Sequence, residues 1–408
     1  MTSSNKDKST GTRLVEAGRK ADWTGTDGQP RVVNPPIWRG STHLYASEAE
    51  RIETLKDNND GTFYYGRRGA PTQWALAQAL TEMEPGAHGT VLYPSGTAAI
   101  AASLMSVLRP GNSVLIADNS YEPTRTTGLG ILKRFGVEAR FFDPLDLAAY
   151  AAAFDETTKA VWLESPGSLT MEVSDVPALA AIAREHGAVS LIDNTWASPL
   201  GLAPLALGCD ISVMSLTKHV GGHSDLMMGS ASASEKYYRR LRQTSQQLGH
   251  VVSPDDAALA LRGLRTMGLR LERTTATAIT VANWLKSRPE IAHVMCPMLE
   301  GDAGYDLWSR DFTGACGLFS FTLKNGTKER RAALVDALEL FGIGYSWGGF
   351  ESLALVFDAQ TTRSATAWPP AGFEANDGLG IRLSIGLEDA DDLIADLDQA
   401  LAVSGDAG

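Results

Sequence analysis

Cysteine is scarce: the 408 residues carry three, Cys209, Cys296 and Cys316, far apart and never in a CxxC pair. A disulfide framework and a thiolate zinc site are therefore not expected, and such cysteines suit a reducing compartment. No apolar run approaches the roughly 20 residues that span a bilayer. Residues 1–12 are polar and lack the apolar stretch of a secretory signal. Basic residues are in deficit, with 36 Lys plus Arg against 48 Asp plus Glu and a formal net charge of -12. That balance argues against nucleic acid or another polyanion as partner. No Gly-Lys dipeptide occurs, which excludes a Walker phosphate loop. The expectation is a cytoplasmic protein with neither membrane nor nucleic-acid partner. A hydrophobic share of 44% with 21% charged residues rules out disorder for the bulk of the chain.

Residues 1 to about 60 have no sustained period and are rich in Gly, Pro, Ser, Thr and charge. Asn58-Asn59-Asp60-Gly61 is a strong turn cluster. This reads as an extended N-terminal arm, residues 1–68, contacting a neighbouring subunit because alone it buries too little surface. From residue 69 short apolar runs alternate with helical stretches. Strands are predicted at Thr90–Tyr93, Ser113–Ala117, Val137–Phe142, Ala160–Leu163, Val189–Ile192 and Ile211–Leu216, with an alanine-rich helix over Thr97–Leu108. The pattern indicates an α/β fold with a mostly parallel, doubly covered sheet in a large central domain, residues 69–264. Long helical stretches run from Glu235 to Lys286. A smaller α+β domain follows, residues 265–408, with strands at Leu318–Leu323, Leu353–Phe357 and Ile381–Ile385. Its last helix carries an apolar stripe of Leu393, Ile394, Leu397 and Leu401.

Three strand ends attract chemistry. The strand at Ile211–Leu216 delivers Ser215, Thr217 and Lys218 to a turn rich in glycine, and ligands of open α/β sheets bind beyond such ends. A partly desolvated lysine there can attack a carbonyl carbon; the ordinary alternative is a solvated lysine. Asp193 ends another strand, where a carboxylate can hold a ring N–H in its charged form or serve as a turn acid. Pro94-Ser95-Gly96-Thr97 puts backbone N–H groups at a helix N-terminus, a phosphate site or a plain N-cap. A lysine nucleophile, a ring-nitrogen acid and a phosphate cradle are together the parts that pyridoxal 5'-phosphate (PLP) requires.

Ser215-Leu-Thr-Lys218-His-Val-Gly-Gly-His-Ser224 resembles the lysine motif of the Cys/Met-metabolism family of fold-type-I PLP enzymes. The similarity extends through Tyr65-Gly-Arg67-Arg-Gly-Ala-Pro-Thr72, Ser95-Gly-Thr97, Tyr121-Glu-Pro, Glu164-Ser-Pro, Asp193-Asn-Thr and Arg382-Leu-Ser-Ile-Gly-Leu-Glu-Asp, in family order from about residue 35 to 400. The resemblance implies that Lys218 carries the cofactor, Asp193 partners the pyridine nitrogen and Tyr121 stacks on the ring. It implies that Gly96, Thr97, Ser215 and Thr217 hold the phosphate, joined by Tyr65 and Arg67 of a neighbouring subunit. Arg382 would clamp the substrate α-carboxylate, with Ser346 and Trp347 lining the pocket, in a homotetramer of active dimers.

Ala70 and Ser168 stand where many γ-acting members carry Asn. Together with Tyr121-Glu-Pro and Tyr345-Ser-Trp-Gly-Gly-Phe-Glu-Ser352 they resemble the bacterial branch of carbon–sulfur lyases that acts on L-cystathionine in methionine biosynthesis. The implied reaction is β-elimination of L-cystathionine or another cysteine S-conjugate to a thiol, pyruvate and ammonia. A γ-lyase or γ-synthase is the alternative within the family. Outside it, Gly344-Tyr-Ser-Trp-Gly348 fits the pattern of a serine-hydrolase elbow, which needs a strand before and a helix after. A non-catalytic scaffold is the other alternative, although Lys218, Asp193 and Arg382 are all present. His219 and His223 bracket two glycines, which disfavours a helical metal pair, so no metal is expected.

Overall fold

The structure is a computed structural model that describes residues 8–25, 30–56, 60–369 and 379–405. Its strands, in chain order, are β1 Gly89–Tyr93, β2 Ser113–Ala117, β3 Glu138–Phe142, β4 Thr158–Glu164, β5 Val189–Asp193, β6 Ile211–Ser215, β7 Gly229–Ala233, β8 Ile291–Met295, β9 Leu318–Leu323, β10 Gly342–Ile343, β11 Leu353–Asp358 and β12 Leu379–Ser384. The chain forms two compact units, Met1–Val107 with Asp210–Gly268, and Leu108–Cys209 with Leu269–Gly408.

In the first unit β7 pairs antiparallel with both β1 and β6. Its sequence Gly-Ser-Ala-Ser-Ala is small throughout because neighbours close in: a Cβ on Gly229 would lie 2.3 Å from the Ser95 carbonyl oxygen. The helix Gly96–Val107 lies on β6 and β7, and the helix Pro71–Met83 buries Trp74, Leu76, Leu80 and Met83. The expected long helical run breaks at Gly249, in the left-handed region at φ 72, and restarts at Pro254, capped by Ser253. Short helices at Thr10–Glu16, Ala21–Thr24 and Glu48–Thr54 interrupt the arm, so it is not extended throughout. Ser9 and Ser47 start two of them by accepting the N–H of Thr12 and Glu50, a local cap signal that needs no long period. Of the turn cluster, Asn58 and Asn59 lie outside the described residues, while Asp60 and Gly61 form a turn.

In the second unit β5, β4, β2 and β3 pair in that order, all parallel. Their cores are continuous apolar runs, with Leu115, Ile116, Trp162 and Leu163 fully buried, as strands covered on both faces require. A second sheet of order β10-β11-β12-β9-β8 is antiparallel except between β10 and β11. The closing helix Ala390–Gly405 buries Leu393, Leu397 and Leu401 and packs on the helix Lys328–Asp336. The α/β class and the parallel ladder are those expected from the sequence. Among the described residues, no helix is long and apolar enough to cross a membrane.

Candidate active site

Gly229 organises a cluster in the first unit. It is in register with Tyr93 of β1 on one side and Ser215 of β6 on the other, so the turns that leave those two strands emerge side by side. Ser95 opens the helix Gly96–Val107: its hydroxyl accepts the Ala98 N–H at 3.1 Å. The Gly96 and Thr97 N–H groups have no carbonyl partner within the helix and face the positive end of its dipole. A Cβ on Gly96 would sit 2.9 Å from both Cβ and Oγ of Ser215, so only glycine lets the amide and the hydroxyl share this corner. Two amides, a serine hydroxyl and a helix N-terminus suit a phosphate dianion, and the cradle therefore fits PLP.

Lys218 is half-buried in the turn after β6, where its N–H donates to the Ser215 carbonyl at 3.2 Å and its own carbonyl accepts from Gly222 at 2.8 Å. Gly263 lets a neighbouring helix support this turn: a Cβ there would be 2.1 Å from the Val220 carbonyl oxygen. Thr217 differs from expectation. Its hydroxyl donates to the Met228 carbonyl at 3.2 Å and accepts the Met228 N–H at 3.1 Å, closing the loop at its base. A hydroxyl has a single proton, so in this arrangement Thr217 offers an anion no donor. His219 is buried and His223 exposed, its Nδ1 lying 2.8 Å from the Gly221 carbonyl.

Tyr65 and Arg67 lie at a 3₁₀ turn, Gly66–Arg68, docked on the helix Glu235–Gln247. Arg67 donates to the Gln246 carbonyl at 2.8 Å, and Asp60 pairs with Arg242 at 2.7 Å. Tyr65 remains exposed.

A second cluster lies in the second unit. Asp193 ends β5 directly opposite Glu164, the last residue of β4. Thr195 donates to Asp193 Oδ1 through its N–H at 2.9 Å and its hydroxyl at 2.5 Å. Glu164 Oε2 accepts the Tyr121 N–H at 2.7 Å, which fixes where the Tyr121 ring starts from the strand end. Burial first, and then the charge of Asp193, push the Glu164 carboxyl well above its ordinary range. Burial also raises the Tyr121 phenol, helped by Asp193 and Glu164.

Arg382 lies on β12 and is only 8% exposed; burial draws its guanidinium down to about 10. Its Nη2 donates to the Ser346 carbonyl at 3.0 Å, and Ser346 is held at φ 81, a strained value for a residue with a Cβ. Ser346 thus serves through its carbonyl. β10 precedes Gly344-Tyr-Ser-Trp-Gly348 but no helix follows it, so this is not a nucleophile elbow. Tyr121, Ser168, Tyr345 and Arg382 line a cavity of about 490 Å³.

The structure thus brings Gly96, Ser215 and the Lys218 turn together, and separately gathers Tyr121, Asp193, Arg382 and Ser346. Sequence reasoning assigned no role to Glu164, although its motif was visible, and passed over Gly229, whose signal was a glycine opening a strand of small residues. Asp118, a buried carboxylate in the same cavity wall, left no local signal at all.

The profile of the family described as Cys/Met metabolism PLP-dependent enzyme matches residues 11–402. The chain is 43% identical to a putative cystathionine beta-lyase of Rhizobium johnstonii, over 91% of this chain and 92% of the relative. It is 42% identical to the cystathionine beta-lyase MetC of Escherichia coli, over 97% and 99% of the two chains. The crystal structure of metB from Corynebacterium glutamicum superposes with a TM-score of 0.86 at 28% identity, covering 98% of this chain and 99% of the other. With its lysine turn, its phosphate cradle and a family match over nearly its whole length, the chain belongs to the Cys/Met-metabolism family of PLP-dependent enzymes.

Proposed function

We propose that this protein is a carbon–sulfur lyase that β-eliminates L-cystathionine, and other cysteine S-conjugates, to homocysteine or another thiol, pyruvate and ammonia. The observation that carries this reading is the 42% identity to a cystathionine beta-lyase across nearly the full length of both chains. Bound PLP supplies an electron sink for the carbanion left at the substrate Cα. Gly96 and Thr97 would present N–H groups to its phosphate, with the Ser215 hydroxyl beside them and Thr217 closing the base of the loop. Asp193 would keep the ring nitrogen protonated through its opposite charge, and Tyr121 would lie against the ring. Arg382 binds the substrate α-carboxylate with its planar fork, steadied by the Ser346 carbonyl and flanked by Trp347. Lys218 would hold the cofactor and, as a free amine, would remove the Cα proton at Nζ and hold it for the departing sulfur.

In the assembly we infer, Tyr65 and Arg67 reach the phosphate of a neighbouring subunit in a homotetramer. The arm comprises residues 1–68, the PLP-binding domain 69–264 and the C-terminal domain 265–408. The three cysteines are buried and none is in a disulfide, which supports a cytoplasmic setting.

The test is to incubate purified protein and PLP with L-cystathionine and weigh the keto acid. Pyruvate with homocysteine is expected. 2-Oxobutyrate with cysteine overturns β-elimination in favour of a γ-lyase, which needs a further proton removed at Cβ, and leaves the cofactor chemistry intact.

A further inference from the structure

The cavity beside Arg382 is also lined by Asp358, the last residue of β11, by Thr361 and Thr362 of the 3₁₀ turn that follows, and by Arg363. The segment just beyond, residues 364–366, is neither strand nor helix and holds only if its backbone finds partners. Here one carboxylate provides them. Asp118, 1% exposed, accepts the N–H groups of Ser364, Ala365 and Thr366 at 3.0, 2.9 and 2.8 Å. It also accepts the hydroxyls of Ser364 and Thr366 at 3.0 and 2.9 Å. Arg125 balances its charge at 2.7 Å and reaches Ser364 Oγ at 2.9 Å. Next in the chain, Arg363 is tied to Thr170 at 2.6 Å and Glu172 at 2.7 Å, with its side chain 6% exposed.

The position of this wall matters. Leu355 is in register with Arg382 on β12, and Asp358 lies three residues further along β11, about 10 Å away at ~3.4 Å per residue. A carboxylate held at Arg382 leaves the wall within reach of a long S-substituent and out of reach of a chloride or methyl group. We propose that Asp118 is a positioning residue that clamps residues 364–366, and through them the adjoining wall that ends at Arg363, as the surface receiving the S-substituent, and so sets selectivity for long conjugates over short ones. This rests on the reading that the cavity beside Arg382 receives substrate.

Asp118→Asn keeps the shape of the side chain but turns one acceptor into a donor facing donors. With L-cystathionine its KM rises about tenfold while kcat stays within about twofold; with β-chloro-L-alanine both constants stay within about twofold of wild type. Trypsin, which finds Arg363 protected in the wild type, cuts after it in the variant. Equal losses on both substrates, or unchanged selectivity with Arg363 still protected, overturn the clamp. Should Asp118→Asn not fold, Thr366→Val decides: it deletes one hydroxyl contact and is expected to lower kcat/KM for the long substrate alone by about threefold, whereas an unchanged ratio overturns the proposal. A wild type inactive on L-cystathionine sinks the functional reading whatever the variants do, whereas normal turnover with an unchanged ratio sinks only the clamp.

Discussion

Glu164 and Asp193 stand opposite one another at the carboxyl ends of adjacent parallel strands. Two acids so placed share an environment but not a role. Asp193 receives both donors of Thr195, while Glu164 holds the Tyr121 N–H and feels the neighbouring negative charge. The strand register thus couples Asp193, the residue we propose for the pyridine nitrogen, to the one that sets Tyr121.

The pair makes a prediction about stability. Burial and the Asp193 charge raise the folded-state pKa of Glu164, so its protonated form is the one the fold favours. Its contribution is fully present below the unfolded value and is lost as pH rises toward the folded one, at about 1.4 kcal/mol per unit of displacement. Glu164→Gln keeps an oxygen for the Tyr121 N–H and removes the titration. The variant is expected to gain on the wild type in thermal stability between pH 5 and pH 8. A difference in Tm that is flat with pH would refute the raised carboxyl.

Lys218 is the residue whose loss should be felt most in turnover. A positioned base is worth roughly 10²–10⁴ in rate, so Lys218→Ala should lose at least that factor in kcat. Trp347→Phe, which alters the lining and not the proton transfer, should remain within about tenfold. Steady-state rates with L-cystathionine decide it, and a Lys218→Ala enzyme near wild-type speed would sink the mechanism.

What could be read from the sequence follows the range of the forces involved. β2 and β9 match the expected bounds residue for residue because both are wholly buried and mostly apolar, the clearest signal a strand can leave. β8, Ile-Ala-His-Val-Met, was missed: its three central residues are only half-buried and its histidine breaks the run. The arm helices escaped because seven residues are too few to show a period, although their serine caps were in plain view. Lys218, Asp193 and Arg382 could be proposed from the sequence because a motif surrounds each. The Asp118 clamp joins residues about 246 apart in sequence, and no local pattern marks such a contact.

The cradle predicts its own intolerance of a methyl group. Alanine at 96 would press on Cβ and Oγ of Ser215 at 2.9 Å, displacing the hydroxyl we propose for the phosphate. Overpacking of this kind costs typically 1–3 kcal/mol. Gly96→Ala should therefore weaken PLP binding about 10- to 100-fold, measured by reconstituting apoprotein, while the protein stays folded. Gly229→Ala meets a backbone oxygen at 2.3 Å, which cannot swing aside as a hydroxyl can, and should lower Tm instead. Unchanged PLP affinity in Gly96→Ala would mean that the phosphate binds elsewhere.

Arg382 ties substrate binding to pH. Its guanidinium, drawn down to about 10 by burial, is charged at neutral pH and loses its charge as pH rises through that value. KM for L-cystathionine should therefore climb between pH 9 and pH 10.5, with kcat changing less, because the charge acts on the carboxylate and not on the Cα proton. Lysine cannot replace it. An ammonium offers one point of charge where the guanidinium gives a planar fork, and it cannot bond the Ser346 carbonyl and a carboxylate in the same geometry. Loss of one charge-assisted hydrogen bond costs roughly 1.5–3 kcal/mol, so Arg382→Lys should lower kcat/KM about 10- to 150-fold, chiefly through KM. A wild-type KM that is flat to pH 10.5, or a lysine variant with native KM, would move the carboxylate clamp to another residue.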